Sequence, residues 1–188
     1  MGSSAVKSFV ESSGLGLVAA TILSLAVCAV ALPCRAADLT IADFVGRFRG
    51  EARSEADDRF FVAALRNIEV EVAREGEGFR LAWSTLILDG GSPARLRESV
   101  LHFLAASGPG RFRTAEPLEP FAGRPAAWAA IAGNALTVRV LTIAADGSWE
   151  LQTYVRALAG DTMTLRFTRI APGKADLVVV GELTRKRD

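Results

Sequence analysis

Apolar and charged residues alternate along several segments of this 188-residue chain. In Asn67–Arg74, Ile68 and Val70 would lie on one side of an extended backbone, and Glu69 and Glu71 on the other. A period of two is typical of a strand that buries one face, so we expect the two glutamates on the outer, solvated face. The same alternation, bounded by turn residues, predicts strands over Val45–Arg53, Asn67–Arg74 and Phe79–Leu88.

The middle of the chain is less regular. Leu96–Leu104 fits either a strand or a short helix, and Thr114–Pro125 carries the proline and glycine residues of a loop. Ala127–Ala132 is a short apolar run that ends before a Gly-Asn turn. Ser54–Leu65 is the only segment whose apolar spacing leaves room for a helix, which would lie across one end of the domain.

The C-terminal part of the chain contains four strand patterns joined by three short turns. The turns contain Ala145-Asp146-Gly147, Ala159-Gly160 and Pro172-Gly173, and each is short enough to require a hairpin. Four strands connected in this way form an antiparallel meander. The predicted strands are Ala135–Ala144, Trp149–Leu158, Met163–Ile170 and Leu177–Arg185.

Taken together, these patterns predict an all-β fold with eight to ten antiparallel strands in about 150 residues. Such a sheet must either close on itself or stack against a second sheet. Even spacing and sequential hairpins favour an up-and-down meander barrel over a Greek-key sandwich. Closure also removes the exposed edges that would otherwise pair with other chains.

The turn lengths give a prediction of register. A three-residue loop at 145–147 places Val138 opposite Tyr154, whereas a two-residue Asp146-Gly147 loop would turn Arg139 inward. A two-residue Ala159-Gly160 loop places Tyr154 opposite Leu165 and Arg156 opposite Met163. A two-residue Pro172-Gly173 loop places Glu182 opposite Met163, near one end of the interior. The predicted interior residues are Leu136, Val138, Val140, Gln152, Tyr154, Met163, Leu165, Phe167, Val178 and Val180.

The N-terminal segment has the organisation of a secretory signal peptide. Leu15–Leu32 is a run of 18 residues without charge, preceded by Lys7 and followed by small residues. We expect cleavage after Ala36, with Ala31 as the alternative, so that residues 1–36 are removed and 37–188 form a single barrel domain. An uncleaved membrane anchor is the other interpretation. The protein is then periplasmic or extracellular, or anchored facing the periplasm.

Charge and cysteine content narrow the function classes. The chain has 22 Lys and Arg residues against 21 Asp and Glu residues, too balanced for nucleic-acid binding through a basic surface. Both cysteines, Cys28 and Cys34, lie in the predicted leader, so the mature domain has no thiol chemistry and no disulfide. We expect a monomer or weak homodimer that contacts membranes only through an uncleaved leader.

One short motif resembles a known family. Asp43–Gly50 contains Gly46-Arg47-Phe48 and resembles the N-terminal strand of calycin-type barrels, in which a Gly-x-aromatic element enters the barrel bottom. Phe48 stands where lipocalins usually have tryptophan. Trp149–Arg185 also resembles exported lipocalin-like proteins of bacteria that have no assigned activity. The resemblance implies a barrel of eight to ten strands with an apolar cavity open at one end, and no particular ligand.

The sequence offers little for catalysis. His102 is the only histidine and lies beside Phe103 in an apolar run, so a half-buried strand histidine is expected rather than a metal or haem ligand. The chain has no Gly-x-Ser-x-Gly motif for a nucleophile. We therefore expect a protein that is not an enzyme and needs no cofactor.

Aromatic residues scattered over the strands either fill the barrel or line a cavity. If a cavity exists, Gln152, Tyr154 and Arg156 are the polar groups that would orient a small apolar or amphipathic ligand. The predicted function is therefore an exported binding protein; a structural or interaction domain with a filled barrel is the alternative. The predicted ligand-binding residues are Phe48, Trp83, Trp128, Val140, Gln152, Tyr154, Arg156, Leu165 and Phe167.

Overall fold

A computed structural model of the chain describes residues 38–55, 65–88 and 93–187. These residues belong to one compact unit, Ala36–Asp188. The predicted leader, residues 1–36, lies outside the described residues, and so does most of the predicted helix Ser54–Leu65, whose first two residues end a strand and whose last residue begins the next. No helix within the described part of the chain is long and apolar enough to span a membrane.

The described residues form a closed barrel of ten strands in which every neighbouring pair is antiparallel. Each strand pairs with the next along the chain, and the last pairs with the first, so the predicted all-β meander barrel is confirmed. A one-turn helix, α1 (Ile41–Phe44), precedes the barrel, and a 3₁₀ turn spans Pro120–Ala122. The strands are β1 (Gly46–Glu55), β2 (Leu65–Glu75), β3 (Gly78–Leu88), β4 (Arg95–Ala105), β5 (Arg111–Thr114), β6 (Ala126–Ala132), β7 (Ala135–Ile143), β8 (Trp149–Ala159), β9 (Thr162–Ile170) and β10 (Leu177–Arg185).

The β7–β8 turn has the predicted three-residue form. Gly147 has a φ of +81°, and the backbone N–H of Ala144 donates to the Ser148 carbonyl at 2.8 Å. A left-handed residue at this loop position favours glycine, because a side chain would be strained there. Val138 therefore pairs with Tyr154, as predicted, and Arg139 pairs with Thr153. The alternative two-residue loop is wrong.

The next turn is displaced by one residue at each end from the prediction. Ala159 pairs with Thr162, so the two-residue loop is Gly160-Asp161 rather than Ala159-Gly160. This moves the register by two positions in total, which preserves the faces of both strands. Tyr154 therefore pairs with Phe167 rather than Leu165, and Arg156 pairs with Leu165 rather than Met163.

The last connection overturns part of the predicted interior. Residues 171–176 join β9 to β10, so Pro172-Gly173 does not form a two-residue hairpin. Phe167 pairs with Val179. A change of one residue exchanges the two faces of a strand. Val179 and Leu183 are consequently buried, whereas the predicted inward positions of Val178, Val180 and Glu182 are wrong.

The remaining strands settle one open choice and add one element that the sequence did not predict. Leu96–Leu104 is part of strand β4, which resolves the choice between strand and helix. Strand β5 was missed because it has only four residues and directly follows glycine-containing turn residues. The outer face of β2 is as predicted: Glu69 is exposed, and Glu71 forms ion pairs with arginines on both neighbouring strands.

The end of the barrel nearest α1 is solidly packed. Phe44 on α1 is buried beneath the strands, and Phe79 stacks on Phe103 with ring centroids 4.8 Å apart. Asp43 accepts hydrogen bonds from the Thr40 backbone N–H at 2.7 Å and from its hydroxyl at 2.9 Å, which together lower the pKa of Asp43. These contacts fix the start of α1, which closes one end of the barrel.

The Gly-x-aromatic element belongs to this closed end. The guanidinium of Arg185 lies over the Phe48 ring at 4.5 Å and donates to the carbonyl oxygen of Asp43 at 2.7 Å and to that of Val45. Gly46 has a φ of +138°, and a Cβ there would lie 2.6 Å from Arg185 Nη1. The glycine is therefore needed both for the backbone conformation and for the close approach of the arginine.

Candidate ligand-binding site

The barrel is hollow at the end where β7 turns into β8. A cavity of about 460 Å³ lies between strands β2, β3, β4, β8, β9 and β10. This volume falls within the usual range of small-molecule sites. Its apolar lining includes Ile68, Val70, Ile87, Leu165, Leu177 and Val179.

The inward-facing residues of β8 form a ladder from the mouth of the cavity to its floor. Gln152 donates to Glu150 at 2.6 Å, and the Tyr154 hydroxyl donates to the Gln152 side-chain oxygen at 2.7 Å. Arg156 is the next inward residue and is only 1% exposed. Because alternate residues of a strand share a face, one strand supplies an acid, an amide, a phenol and a guanidinium in order of depth.

Three aromatic rings in mutual contact line the cavity and are called the aromatic wall. Tyr154 lies between Trp83 and Phe167, with ring centroids 5.1 Å and 4.8 Å away and ring planes tilted by 57° and 43°. Phe167 is brought there by its direct pairing with Tyr154 across β8 and β9, whereas Trp83 reaches Tyr154 from β3, on the other side of the barrel. These side chains are partly buried, and the wall offers apolar ring faces and edges to a ligand.

Arg156 is the unusual group of the site. Its guanidinium carbon lies 5.5 Å from the Trp83 ring centroid and 5.1 Å from that of Tyr154. Its Nε and Nη1 atoms are buried and have no hydrogen-bond partner among the described residues. Burial lowers the pKa of Arg156 to about 10, so the side chain stays charged at neutral pH.

Tyr154 is also perturbed by burial. Desolvation raises the pKa of its phenol to about 12, although the positive charge of Arg156 opposes this rise. The phenol is therefore neutral at physiological pH and acts as a hydrogen-bond donor to Gln152. Neutral Tyr154 cannot compensate the charge of Arg156, and the interaction between the two is that of a cation with an aromatic ring.

Arginines surround the upper part of the cavity. Arg66 donates to the Ser54 hydroxyl at 2.5 Å, and Arg169 Nε lies 3.9 Å from Glu150. Glu150 is the only acid that lines the cavity in the described part of the chain. The arginines near its mouth are Arg66, Arg95, Arg97 and Arg169.

Two of these arginines, Arg95 and Arg97, were missed because β4 has an inverted pattern. Arg95, Arg97 and Ser99 face the cavity, whereas Leu96 and Val100 on the outer face are 60% and 48% exposed. Hydrophobicity alone assigns the leucine and valine to the interior. The available signal was cross-strand pairing: Ser99 lies opposite the inward-facing Trp83, and a pair of directly opposed residues shares one face.

The structure brings six of the nine predicted ligand-binding residues together at the cavity. Val140 lies opposite Gln152 on β7 and packs against the core, and Phe48 lies at the closed end under Arg185. Trp128 is corrected: it is 38% exposed and lies on the outer face of β6, because its neighbours Ala127 and Ala129 are the ones that point inward. The six cavity residues are Trp83, Gln152, Tyr154, Arg156, Leu165 and Phe167.

His102 lies away from this site. Its Nδ1 is 2.8 Å from a Glu75 carboxylate oxygen, and its side chain is 40% exposed. The half-buried strand histidine expected from the sequence is therefore observed. Within the described residues, no group of three or more His, Cys, Asp or Glu side chains is placed to hold a metal ion.

Comparison with known proteins adds information on the fold. No protein-family model matches the sequence, and no curated protein matches it. Among solved structures, the S-type phycobiliprotein lyase CPES from Guillardia theta is similar, with a TM-score of 0.50 and 13% sequence identity over 79% of this chain and 91% of that one. At this identity the likeness concerns the fold alone.

Proposed function

We propose that the chain is an exported, non-catalytic binding protein that holds a small amphipathic ligand inside the barrel. The observation that supports this most directly is the cavity itself. A small barrel can fill its interior with side chains, yet here about 460 Å³ stays open beside an aromatic wall. An apolar surface with a few polar groups at defined depths is the usual composition of a ligand pocket.

The protonation states in the cavity favour binding over acid–base chemistry. A general acid or base works best with a pKa near the operating pH. Burial moves the pKa of Tyr154 up to about 12 and that of Arg156 down to about 10. Both groups therefore keep one protonation state at neutral pH and serve as a donor and a fixed charge.

Export is supported by the leader. The uncharged run Leu15–Leu32 and the small residues that follow it have the pattern of a cleaved signal peptide. We propose the periplasm or the cell exterior as the site of action, with an uncleaved anchor as the alternative.

A second candidate is a structural or interaction domain. It is favoured by the outer face of β4, where Leu96, Val100 and Leu104 are 60%, 48% and 41% exposed. Apolar side chains that share one exposed strand face are typical of surfaces that contact other proteins.

Native mass spectrometry of the full chain, purified from its own cell envelope, tests both the leader and the ligand. We expect a mass that lacks residues 1–36 and a released small molecule. A fluorescence titration with the neutral dye Nile red then tests the cavity. The double variant Trp128→Phe, Trp149→Phe leaves Trp83 as the only tryptophan, since the chain has three. We expect saturable quenching of Trp83.

The matched control is Trp83→Phe, in which the two outer tryptophans remain and their emission should not respond to the dye. If Nile red does not bind saturably and the native spectrum shows protein alone, the ligand-binding proposal is wrong. The interaction domain then becomes the better interpretation.

A further inference from the structure

We propose that the ligand is an anionic amphipath, such as an aliphatic or aromatic carboxylate, whose acid group lies at the cavity floor against Arg156. This inference rests on the proposed function and adds the ligand's charge and orientation. The acid group enters first, the apolar body lies along the aromatic wall, and the far end of the molecule points to the mouth.

Arg156 carries the cost of a buried charge without a partner. Arg156 is 1% exposed, and its Nε and Nη1 have no hydrogen-bond acceptor among the described residues. Removing a charged group from water is strongly unfavourable unless the charge is paired and its donors are satisfied. The rings of Trp83 and Tyr154 compensate only part of this cost. An acceptor supplied by a ligand would satisfy the remaining donors.

Glu150, the acid that lines the cavity, already has partners near the mouth. Glu150 accepts a hydrogen bond from Gln152 at 2.6 Å and lies 3.9 Å from Arg169. It is also six residues from Arg156 along β8, a distance of about 20 Å at the usual rise per residue of a strand. The charge of Glu150 therefore compensates Arg169 near the mouth and not Arg156 at the floor.

Arg156 also discriminates between ligand classes by charge. A cationic amphipath would be repelled by the buried guanidinium, and a neutral one would leave its charge unpaired. An anionic head group is therefore the one that the floor of the cavity favours.

Two ligands that differ only in their head group test whether the cavity prefers an anion. Dodecanoate and 1-dodecanol share one alkyl chain and differ in the charge of the head group, and both can be titrated by displacement of Nile red from the mature domain. We expect dodecanoate to bind about tenfold more tightly or better, the size of effect seen when a buried charge gains its partner. In Arg156→Met we expect this preference to disappear while dodecanol binds as before.

Two variants serve as controls. Arg156→Lys keeps a positive charge at the floor and should retain part of the preference for the acid. Arg97→Met removes a positive charge near the mouth, where the side chain is exposed, and should change the ratio of the two affinities by less than about threefold. Circular dichroism establishes that each variant keeps the barrel.

The outcomes separate the two proposals. If Nile red, acid and alcohol all fail to bind the wild-type domain, the proposed function is wrong. If acid and alcohol bind equally well, or if Arg97→Met rather than Arg156→Met removes the preference, the ligand is bound but the inference about its head group is overturned.

Discussion

Arg156 and Tyr154 are two residues apart on β8, and burial shifts their pKa values in opposite directions. The guanidinium is easier to deprotonate than in water, and the phenol is harder to ionise. Both shifts favour the neutral form, as expected when a group is moved out of water. At neutral pH only Arg156 carries the cost of a buried charge, since Tyr154 is neutral at that pH.

Tyr154 can be followed directly because it is the only tyrosine of the chain. In a spectrophotometric titration we expect tyrosinate absorbance to appear with a midpoint near pH 12 in the folded protein, and near 10 after denaturation in urea. A folded midpoint near 10 would show that the ring is not desolvated.

Replacement of Arg156 should stabilise the empty protein. The folded-state pKa of about 10 lies below the value of an arginine in water, so the folded state carries the full cost of the charge below pH 10 and loses this cost as the pH rises further. We expect Arg156→Met to raise the free energy of unfolding at neutral pH by about 1 kcal/mol or more, as when buried charges are replaced by apolar side chains. Urea denaturation measures this.

The pH dependence provides a second readout of the same variant. The raised pKa of Tyr154 contributes stability that is present below pH 10 and is lost as the pH rises through about 12. In the wild type, folded Arg156 loses its proton over the same pH interval. The cost of its buried charge then disappears, and this gain in stability opposes the loss from Tyr154. Arg156→Met should therefore lose stability between pH 10 and 12 more steeply than the wild type. If the free energies of unfolding of the variant and the wild type changed in parallel between pH 10 and 12, Arg156 would not be a buried charge in the folded protein.

At the scale of elements, the predicted strand faces are right where the predicted loop length gives the observed register or shifts it by two residues. They are wrong where the register shifts by one residue. At 145–147 the sequence allowed a two-residue or a three-residue loop, and the three-residue form, with a φ of +81° at Gly147, gives the predicted faces of β7 and β8. The β9–β10 connection contains turn residues but is longer than Pro172-Gly173, and this reversed β10. Local residue preferences do not determine how many residues a connection uses.

Strand β4 shows why the cavity was only half predictable. Tyr154, Gln152 and Arg156 were accessible to sequence reasoning because β8 alternates in step with a known neighbour. Arg95 and Arg97 were not, because their outward-facing neighbours are apolar. A prediction from hydrophobic alternation places the apolar face of a strand in the interior. It therefore gives the wrong face for a strand whose inward-facing positions carry charge.

At the scale of the whole molecule, the barrel is packed at one end and hollow at the other, and its closure depends on the contact between β1 and β10. A Cβ on Gly50 would lie 2.0 Å from the Glu182 carbonyl oxygen, and one on Gly181 would lie 2.6 Å from the Ala52 Cβ. The two strands therefore approach so closely that two glycines are required. Sequence reasoning predicted closure but not which residues permit it.

We expect Gly50→Ala to lower the free energy of unfolding by about 1–3 kcal/mol, the usual cost of forcing extra atoms into a packed site. Urea denaturation followed by circular dichroism measures the change. The control is Gly76→Asn, where φ is +55° and a Cβ would meet nothing within 4 Å. Asparagine tolerates this conformation, so the control should stay close to the wild type. Equal stability of Gly50→Ala and wild type would show that β1 and β10 are further apart.

The inverted pattern of β4 also has a consequence for how the chain finds its native state. A slip of β4 by one residue would bury the exposed side chains of Leu96 and Val100, which the hydrophobic effect alone favours. The same slip would expel Phe103, which stacks on Phe79 at the opposite end of the strand. The hollow half of the barrel is thus maintained by an aromatic anchor in the solid half, and weakening that anchor would trap molecules in a misaligned barrel with a blocked interior.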